Sequence, residues 1–531
     1  MTFDIKPPLL PELVALHGRW YPNKLAVIDE HSSLTWHELD QRSNAVANGL
    51  LAQGLGRGDG VAILMSNRVE YVEVLYGVFK AGAVAVPLNL AVSAKGLAGM
   101  MSDAGTRAAF FTGQEYEKVA TQLSGLPQLQ SRLVLSETDS ATALAGTTDY
   151  REWRRSQSTQ APRVTIGDDD PCNIIYSSGT TGVPKGIKHL HRRRAQSMYE
   201  LALAHRYHYG AVAICPIGLY SNIAWASLFC SLIVGGTCVI QKAFDASQWI
   251  DAVREHQVTH TMMVPLMFQR VLEARNFRPE SVASLQAIIS GGSPLYEQLK
   301  RQVAEQFRCA VIELYGLTEG FMTTLQPEEA EGRLGSVGKP VRGHDYLIVD
   351  DHDQPLPWGA TGEICVRSVH WMVEYHNRPD ATQETNYIDN QGRQWLRTGD
   401  IGRVDEEGYL YIVDRKKDMI LSGGQNIYPA DIESVMVTHP AVSEVAVIGI
   451  ADATWGETPI ALVVLRAGQN CPDASTLTTW TNERVGRRQK IRTVYFRDDL
   501  PRNPNGKILK RELRAEYETQ SSTAQKEQEH A

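Results

Sequence analysis

Short apolar runs recur along the first part of this chain at 60–65, 83–88, 108–111 and 133–135, separated by helix-like segments. A second series follows at 237–241, 259–264, 287–290 and 310–314. Strands alternating with helices imply an α/β architecture with mostly parallel sheets. Thr35-Trp36-His37-Glu38 fits a helix capping box, and Leu39, Val46 and Leu50 give the next helix an apolar face. Between 363 and 413 the texture changes to shorter, turn-punctuated strands, as in a small β unit. The charged cluster Asp414-Arg415-Lys416-Lys417-Asp418 then breaks the apolar pattern, and a compact α+β module runs on to about residue 516. The stretch 136–160 is polar and rich in Ala, Ser and Thr, and reads as a surface excursion.

With 531 residues the chain exceeds one ordinary domain, which predicts a large domain and a smaller one. The net charge of -8 is spread along the chain and argues against nucleic acid, which needs a concentrated basic face. The N-terminal residues lack a basic segment followed by an apolar run, so no secretory signal is expected. No apolar stretch reaches the length of a transmembrane segment. Seven scattered cysteines without metal-like spacing suit a reducing compartment, so the expectation is a cytoplasmic protein.

The sharpest chemical signal is Tyr176-Ser177-Ser178-Gly179-Thr180-Thr181-Gly182-Val183-Pro184-Lys185-Gly186, directly after an apolar run. Glycines let backbone N–H groups approach an anion, the hydroxyls add donors, and Lys185 adds charge. By composition this is a phosphate cradle, and it lacks the Gly-Lys-Ser/Thr ending of the Walker pattern. A Gly/Ser/Thr loop is more often a plain turn, but the ordered mix here is far more specific than that.

At these residues the chain resembles the adenylate-forming superfamily of acyl- and aryl-CoA synthetases, peptide-synthetase adenylation domains and luciferases. The resemblance spans about residues 34 to 513 and is strongest toward the acyl-CoA synthetases. It rests on ordered motifs. Lys80-Ala81-Gly82-Ala83 comes first, then the phosphate loop, Ser290-Gly291-Gly292-Ser293-Pro294-Leu295 and Tyr315-Gly316-Leu317-Thr318-Glu319. Arg397-Thr398-Gly399-Asp400, the 414–418 cluster, Ser422-Gly423-Gly424 and Pro504-Asn505-Gly506-Lys507 follow.

The resemblance implies ATP, Mg2+ and coenzyme A as cofactors and a small-molecule carboxylic acid as substrate. A carboxylate is a poor electrophile, and attack on the α-phosphate of ATP converts it to a mixed anhydride with AMP. Catalysis then consists largely of electrostatic positioning. By resemblance Glu319 is the magnesium-associated carboxylate and Thr318 contacts the α-phosphate. Tyr315 and Gly316, with the turn Gly291-Gly292-Ser293, lie along the adenine. Asp400 binds the ribose, with Arg415 beside it, and Lys507 bridges carboxylate and phosphate oxygens during adenylation. Taken alone, Tyr315 is a core aromatic, Thr-Gly-Asp a turn and Lys507 a solvated lysine; the ordered motifs favour the functional roles.

The implied architecture is a large domain over 1–413 that holds ATP and the acyl group, containing two mostly parallel α/β sheet subdomains and a small β unit. A hinge at 414–418, a small mobile α+β C-terminal domain over 419–516 and a disordered tail over 517–531 complete it. Lys417 is the expected pivot. Rotation about it replaces Lys507 by Gly423 and Gly424, which line the pantetheine tunnel. A homodimer is compatible with the resemblance.

Two departures stand out: Ser221 occupies the place where many family members carry His, and Asp414 replaces a usual Gly on what reads as a surface strand end. The acyl pocket is expected within 217–225, 263–266, 291–292 and 320–323, with Tyr220, Ser221, Asn222, Trp225 and Met263 on its wall. Its lining is mainly apolar, and Asn222 and Ser221 offer polar contacts to an oxygenated group.

An amino-acid-activating domain is the nearest rival, but Phe244-Asp245-Ala246-Ser247 follows its glycine pair in the wrong order for an ammonium-holding acid. Two further readings stay open. One is a stand-alone adenylation enzyme that hands the acyl group to a carrier protein or another acceptor, and the other is a non-catalytic binding protein of the same fold. The basic run His191-Arg192-Arg193-Arg194 reads equally as a coenzyme A phosphate contact or as solvated surface charge.

Overall fold

The computed structural model describes residues 6–136, 146–177, 184–423, 425–452, 454–466, 471–502 and 507–517. Among these residues the strands form four sheets, two of which are large and mainly parallel. The nine-stranded sheet has a parallel centre in which Val212–Cys215, Thr237–Ile240, His260–Met263, Ala287–Gly291 and Ala310–Gly316 run side by side. Every residue from Ala287 to Gly291 is buried, as expected for a parallel strand covered by helices on both faces.

The eight-stranded sheet is built on Val84–Pro87, Gly60–Leu64, Thr106–Thr112 and Ser131–Leu135, again in parallel. At one side it turns antiparallel, where Pro171–Ser177 pairs with Lys185–Leu190. Glu374–Tyr375 then adds to the outer edge of Lys185–Leu190. The runs expected as strands are strands, because an apolar run between polar helices finds its burial only in the sheet interior.

A smaller antiparallel sheet carries His344–Val349, Thr361–Ser368, Asn386–Ile388, Gln394–Val404 and Leu410–Arg415. The C-terminal sheet contains Ile420–Ser422, Gln425–Ile427, Val442–Asp452, Gly456–Leu465 and Val494–Arg497, and packs against the helices Pro429–Met436 and Ala474–Asn482. The expected α/β class with a small α+β C-terminal unit is therefore the architecture observed. The tail beyond Tyr517 lies outside the described residues.

Thr35 caps the helix Trp36–Ala52 through the expected box: its hydroxyl accepts from the Glu38 amide while the Glu38 carboxylate accepts from the Thr35 amide at 2.8 Å. The stretch read as a surface excursion proves to be partly core. Helix Tyr150–Arg155 buries Tyr150 and Trp153, and a Cβ on Gly49 would sit 2.3 Å from the Trp153 ring. Aromatic anchors among polar neighbours give no periodic signal, so composition concealed this packing. The rival ammonium-binding motif resolves into a helix cap: Asp245 accepts from the Gln248 amide at 2.9 Å and starts Ala246–Glu255.

Candidate active site

The C-terminal ends of Ala287–Gly291 and Ala310–Gly316 deliver the glycine turn and the Tyr-Gly motif to one edge of the nine-stranded sheet. This is where parallel sheets place ligands. Gly292 adopts φ +82, and Gly320 adopts φ +110 with its absent Cβ only 2.6 Å from the Trp371 backbone. No other residue type fits that second position, because backbone rather than a movable side chain fills the space.

Asp400 lies on Gln394–Val404 opposite Arg415 on Leu410–Arg415, so sheet register alone pairs them. Its carboxylate accepts from Arg415 Nε at 2.7 Å through one oxygen and from the Tyr315 hydroxyl at 2.7 Å through the other. Burial raises the Tyr315 phenol far above its usual range, and the Asp400 charge adds to the rise. Burial works against the Arg415 cation, but Asp400, Tyr315, Asp418 and Glu319 outweigh it and hold the guanidinium firmly charged.

Glu319 is gripped by the edge strand of the other sheet. Its Oε1 accepts from the Tyr375 hydroxyl at 2.7 Å, and its backbone carbonyl accepts from the Met372 amide at 2.6 Å. Lys185 sits in register with Ser177 and places Nζ 4.8 Å from the centre of the Tyr375 ring. Lys507 arrives from the C-terminal unit. Burial, reinforced by the Arg415 charge, pushes its ammonium down to about 8, while Asp400 and Asp418 pull the other way. Glu319, Asp400, Arg415 and Lys507 thus share one electrostatic neighbourhood, drawn from the nine-stranded sheet, the small antiparallel sheet and the C-terminal unit, while Lys185 lies beside the Tyr375 ring that holds Glu319.

The structure also brings in residues that motif reasoning missed. Arg194, in the first turn of helix His191–Ala204, is 4 % exposed. It donates to Asn173 Oδ1 at 3.2 Å, to His189 Nδ1 at 3.0 Å and to Asn222 Oδ1 at 2.7 Å. A guanidinium only donates, so His189 Nδ1 must accept, and its Nε2–H therefore donates to the Thr318 carbonyl at 2.8 Å. Burial holds His189 well below its usual pKa, and Arg194 pushes it further down, consistent with a neutral ring. The available signal was a cation in a helical first turn, where the helix dipole disfavours positive charge. The run around Arg194 is accordingly neither solvated nor a patch. Arg192 pairs with Asp168, Arg193 donates to the Trp371 carbonyl at 3.0 Å, and His191 is buried.

Several expected pocket residues have other duties. Trp225 and Met263 are fully buried in separate core clusters, so neither presents a wall to a ligand; on helix Asn222–Ile233, Trp225 and Phe229 share a face, and Trp225 packs edge-on to Phe79. Ser221 caps that helix, donating to the Gly218 carbonyl at 2.9 Å and accepting from the Ala224 amide. Tyr220 is half-buried, with its phenol pushed up to about 12 by burial. Asn222 is half-buried at the helix start, and its neighbour Ile223 lies 3.6 Å from the Cβ position of Gly292. Ser293 Oγ is buried with no partner among the described residues.

Asp414 is not on a surface strand end. It is buried, accepting from the Ala430 amide at 2.8 Å and the Arg415 amide at 2.7 Å. Lys417 lies in the turn after Arg415, where Arg514 donates to its carbonyl at 3.0 Å. Gly423 is exposed with φ +57, and its amide donates to the Trp455 carbonyl at 2.7 Å in the C-terminal unit. Ser177 ends its strand, whereas Ser178, Gly179, Thr180, Thr181, Gly182 and Gly424 lie outside the described residues, as do Pro504, Asn505 and Gly506.

A nucleotide and a divalent cation suit this donor set. Glu319 keeps one carboxylate oxygen without a described partner, and each Asp400 oxygen retains a lone pair. Such a fold and site define an enzyme that activates a carboxylate by joining it to AMP. The family model described as AMP-binding enzyme matches residues 15–376, and that of the AMP-binding enzyme C-terminal domain matches residues 431–507. The chain belongs to this adenylate-forming family, near the acyl-CoA synthetases.

A fatty acid–[acyl-carrier-protein] ligase of Streptomyces coeruleorubidus is 34% identical over 96% of each chain. A long-chain-fatty-acid–CoA ligase of Mycobacterium tuberculosis is 35% identical over 91% of this chain and 93% of its own. The solved structure of an anthranilate CoA ligase in complex with anthranoyl-AMP superposes with TM-score 0.89 at 25% identity, covering 98% of this chain and 99% of that one. Among the described residues no helix is long and apolar enough to cross a membrane.

Proposed function

We propose that this adenylate-forming ligase transfers its acyl group to coenzyme A, working as an AMP- and pyrophosphate-forming acid–CoA ligase on a hydrophobic, aromatic or alicyclic acid. The observation that carries the proposal is the approach of Lys507 to Asp400 and Arg415, with the Glu319 charge also acting on Arg415 and Lys185 beside the Tyr375 ring that holds Glu319. A cation delivered by a separate C-terminal unit can neutralise charge shared by carboxylate and α-phosphate, and then be withdrawn.

In this reading Asp400 accepts from the ribose hydroxyls while Arg415 and Tyr315 hold it still. Thr318 and Lys185 face the phosphates, and Lys507 bridges the reacting oxygens. Glu319 would hold a magnesium ion, which supplies charge neutralisation on the triphosphate when bound. Residues 414–418 form the hinge between the domain over 1–413 and that over 419–516, with Lys417 as pivot. The Gly423 face then meets the pantetheine arm in the second half-reaction.

Relatives that use coenzyme A and a relative that uses acyl carrier protein both align with nearly the whole chain, so the acceptor is a question for experiment. The test measures AMP and pyrophosphate formation over a panel of carboxylic acids, with free coenzyme A, with an acyl carrier protein, and with neither. Thioester formation with coenzyme A is expected. Acid-dependent pyrophosphate release that yields a thioester only with carrier protein would transfer the assignment to that acceptor. No acid-dependent release at all would remove the catalytic reading.

A further inference from the structure

We propose that the acid this enzyme prefers carries a hydrogen-bond-accepting oxygen besides its reacting carboxylate, and that Asn222 reads it through an amide whose direction Arg194 imposes. The inference rests on the ligase reading above and goes further by naming a chemical class of acid.

The argument starts from the polarity of Arg194. Its guanidinium has five N–H donors and no acceptor, so any amide it meets must turn its oxygen toward it. The Asn222 contact, 2.7 Å from Nη1 to Oδ1, is therefore fixed in direction by chemistry. The Asn222 Nδ2–H2 group consequently points away from Arg194, and it makes no hydrogen bond to any described residue. A buried arginine thus fixes a half-buried amide as a pure donor.

Arg194 is itself unusual. The partners it has among the described residues are neutral: Asn173, His189, Asn222 and the Cys172 thiol, with the Trp225 ring 5.8 Å away. No carboxylate pairs with it among the described residues. Burying such a cation is costly, and an apolar pair of side chains would pack the same space without that cost. What the cation supplies in return is a set of side chains of fixed polarity.

The location ties Asn222 to the reacting groups from two directions. Through Arg194 and His189 it is joined by hydrogen bonds to the Thr318 carbonyl. The next residue along the helix, Ile223, lies 3.6 Å from the Cβ position of Gly292 in the glycine turn. A lone donor at that place matches a keto, ether, phenol or second carboxylate oxygen. It leaves a saturated hydrocarbon chain with an unsatisfied amide, and a site built around a polar group discriminates strongly against ligands that lack its complement.

The test compares matched acids that differ only in an acceptor: octanoate against oxo-octanoates, and benzoate against its methoxy, hydroxy, acetyl and carboxy derivatives. The kcat/KM of acid-dependent pyrophosphate release is measured for each. At least one acceptor-bearing acid is expected to exceed its parent by about tenfold or more. In Asn222→Leu that ratio is expected to fall to about one. Asn222→Asp, which keeps size and pairs with Arg194, is expected to lose the preference while remaining folded. Equal turnover of parent and derivative acids in the wild type, or a preference that survives both variants, overturns the proposal and leaves the ligase reading intact. No release with any acid, with or without coenzyme A, overturns the ligase reading and this inference with it.

Discussion

His189 Nδ1 lies 3.0 Å from Arg194 Nη2, and its Nε2 lies 2.8 Å from the carbonyl oxygen of Thr318. The arginine thereby chooses the tautomer of the histidine, and the histidine anchors the turn that carries Glu319. His189 is a positioning residue in this arrangement, because it acts through Thr318. Gln in its place preserves a donor near Nε2, whereas Asn preserves only an acceptor near Nδ1. His189→Asn is expected to raise the MgATP KM and lower the adenylation kcat about tenfold, matching one hydrogen bond of about 1–2 kcal/mol. His189→Gln should stay within about threefold of wild type, with thioester formation from supplied acyl-adenylate intact in both. Equal losses in the two variants, in both half-reactions, would show that the ring merely fills space.

Lys507 is held near 8 by burial and by Arg415. Its cation is fully present below that pH and is lost as pH rises through it. Adenylation kcat/KM for ATP in the wild type should therefore decline above about pH 8, reporting the free enzyme. Lys507→Arg, always charged, should flatten that limb even where its absolute rate is lower. Lys507→Ala should reduce adenylation by about 100-fold or more while sparing thioester formation from supplied adenylate. An alkaline limb that persists unchanged in Lys507→Arg assigns the titration to another group.

The Tyr375 hydroxyl holds Glu319 from the neighbouring sheet over 2.7 Å. Hydrogen bonds to charged groups contribute about 1.5–3 kcal/mol. Tyr375→Phe is expected to raise the magnesium concentration needed for half-maximal adenylation about tenfold, with a stability loss no larger than the about 1.5–3 kcal/mol of the hydrogen bond removed. A magnesium titration that coincides with wild type shows that the Tyr375 hydroxyl does not position Glu319 for the metal; one that also coincides in Glu319→Gln removes Glu319 from the metal-associated role.

Trp225 is packed against Phe79 and Phe229 with no exposed surface. Its truncation to Ala should destabilise the protein by about 3–5 kcal/mol in denaturant unfolding. If unfolding is unaltered and only the KM for the acid changes, the side chain belongs to the pocket after all.

Lys417 donates no described backbone hydrogen bond, so a proline there removes none, while its ring restricts Lys416 and stiffens the turn. Lys417→Pro should permit acyl-AMP formation and slow coenzyme A transfer by at least about tenfold if this turn is the pivot. Overall turnover at the wild-type rate places the hinge elsewhere.

Motif order singled out Lys185, Glu319, Asp400, Arg415 and Lys507, residues far apart in sequence, and the fold brings Glu319, Asp400, Arg415 and Lys507 into one electrostatic neighbourhood. That much was legible because a nucleotide demands glycines, hydroxyls and charges in local patterns, and a local pattern survives without coordinates. Tyr375 and Arg194 were not legible. Tyr375 reaches Glu319 because a two-residue strand adds to a sheet edge, and Arg194 reaches Asn222 because two helices pack side by side.

The order of residues was enough to specify the fold class and the capped helix after Thr35, since burial of apolar runs and helix-start hydrogen bonding are settled within a few residues. Three-dimensional packing was needed to place Trp225 and Met263 in the core and to let Arg194 set the direction of Asn222 and His189. Those outcomes depend on which surfaces meet across long loops. Side-chain polarity becomes fixed only when a partner that can solely donate is brought within hydrogen-bond reach.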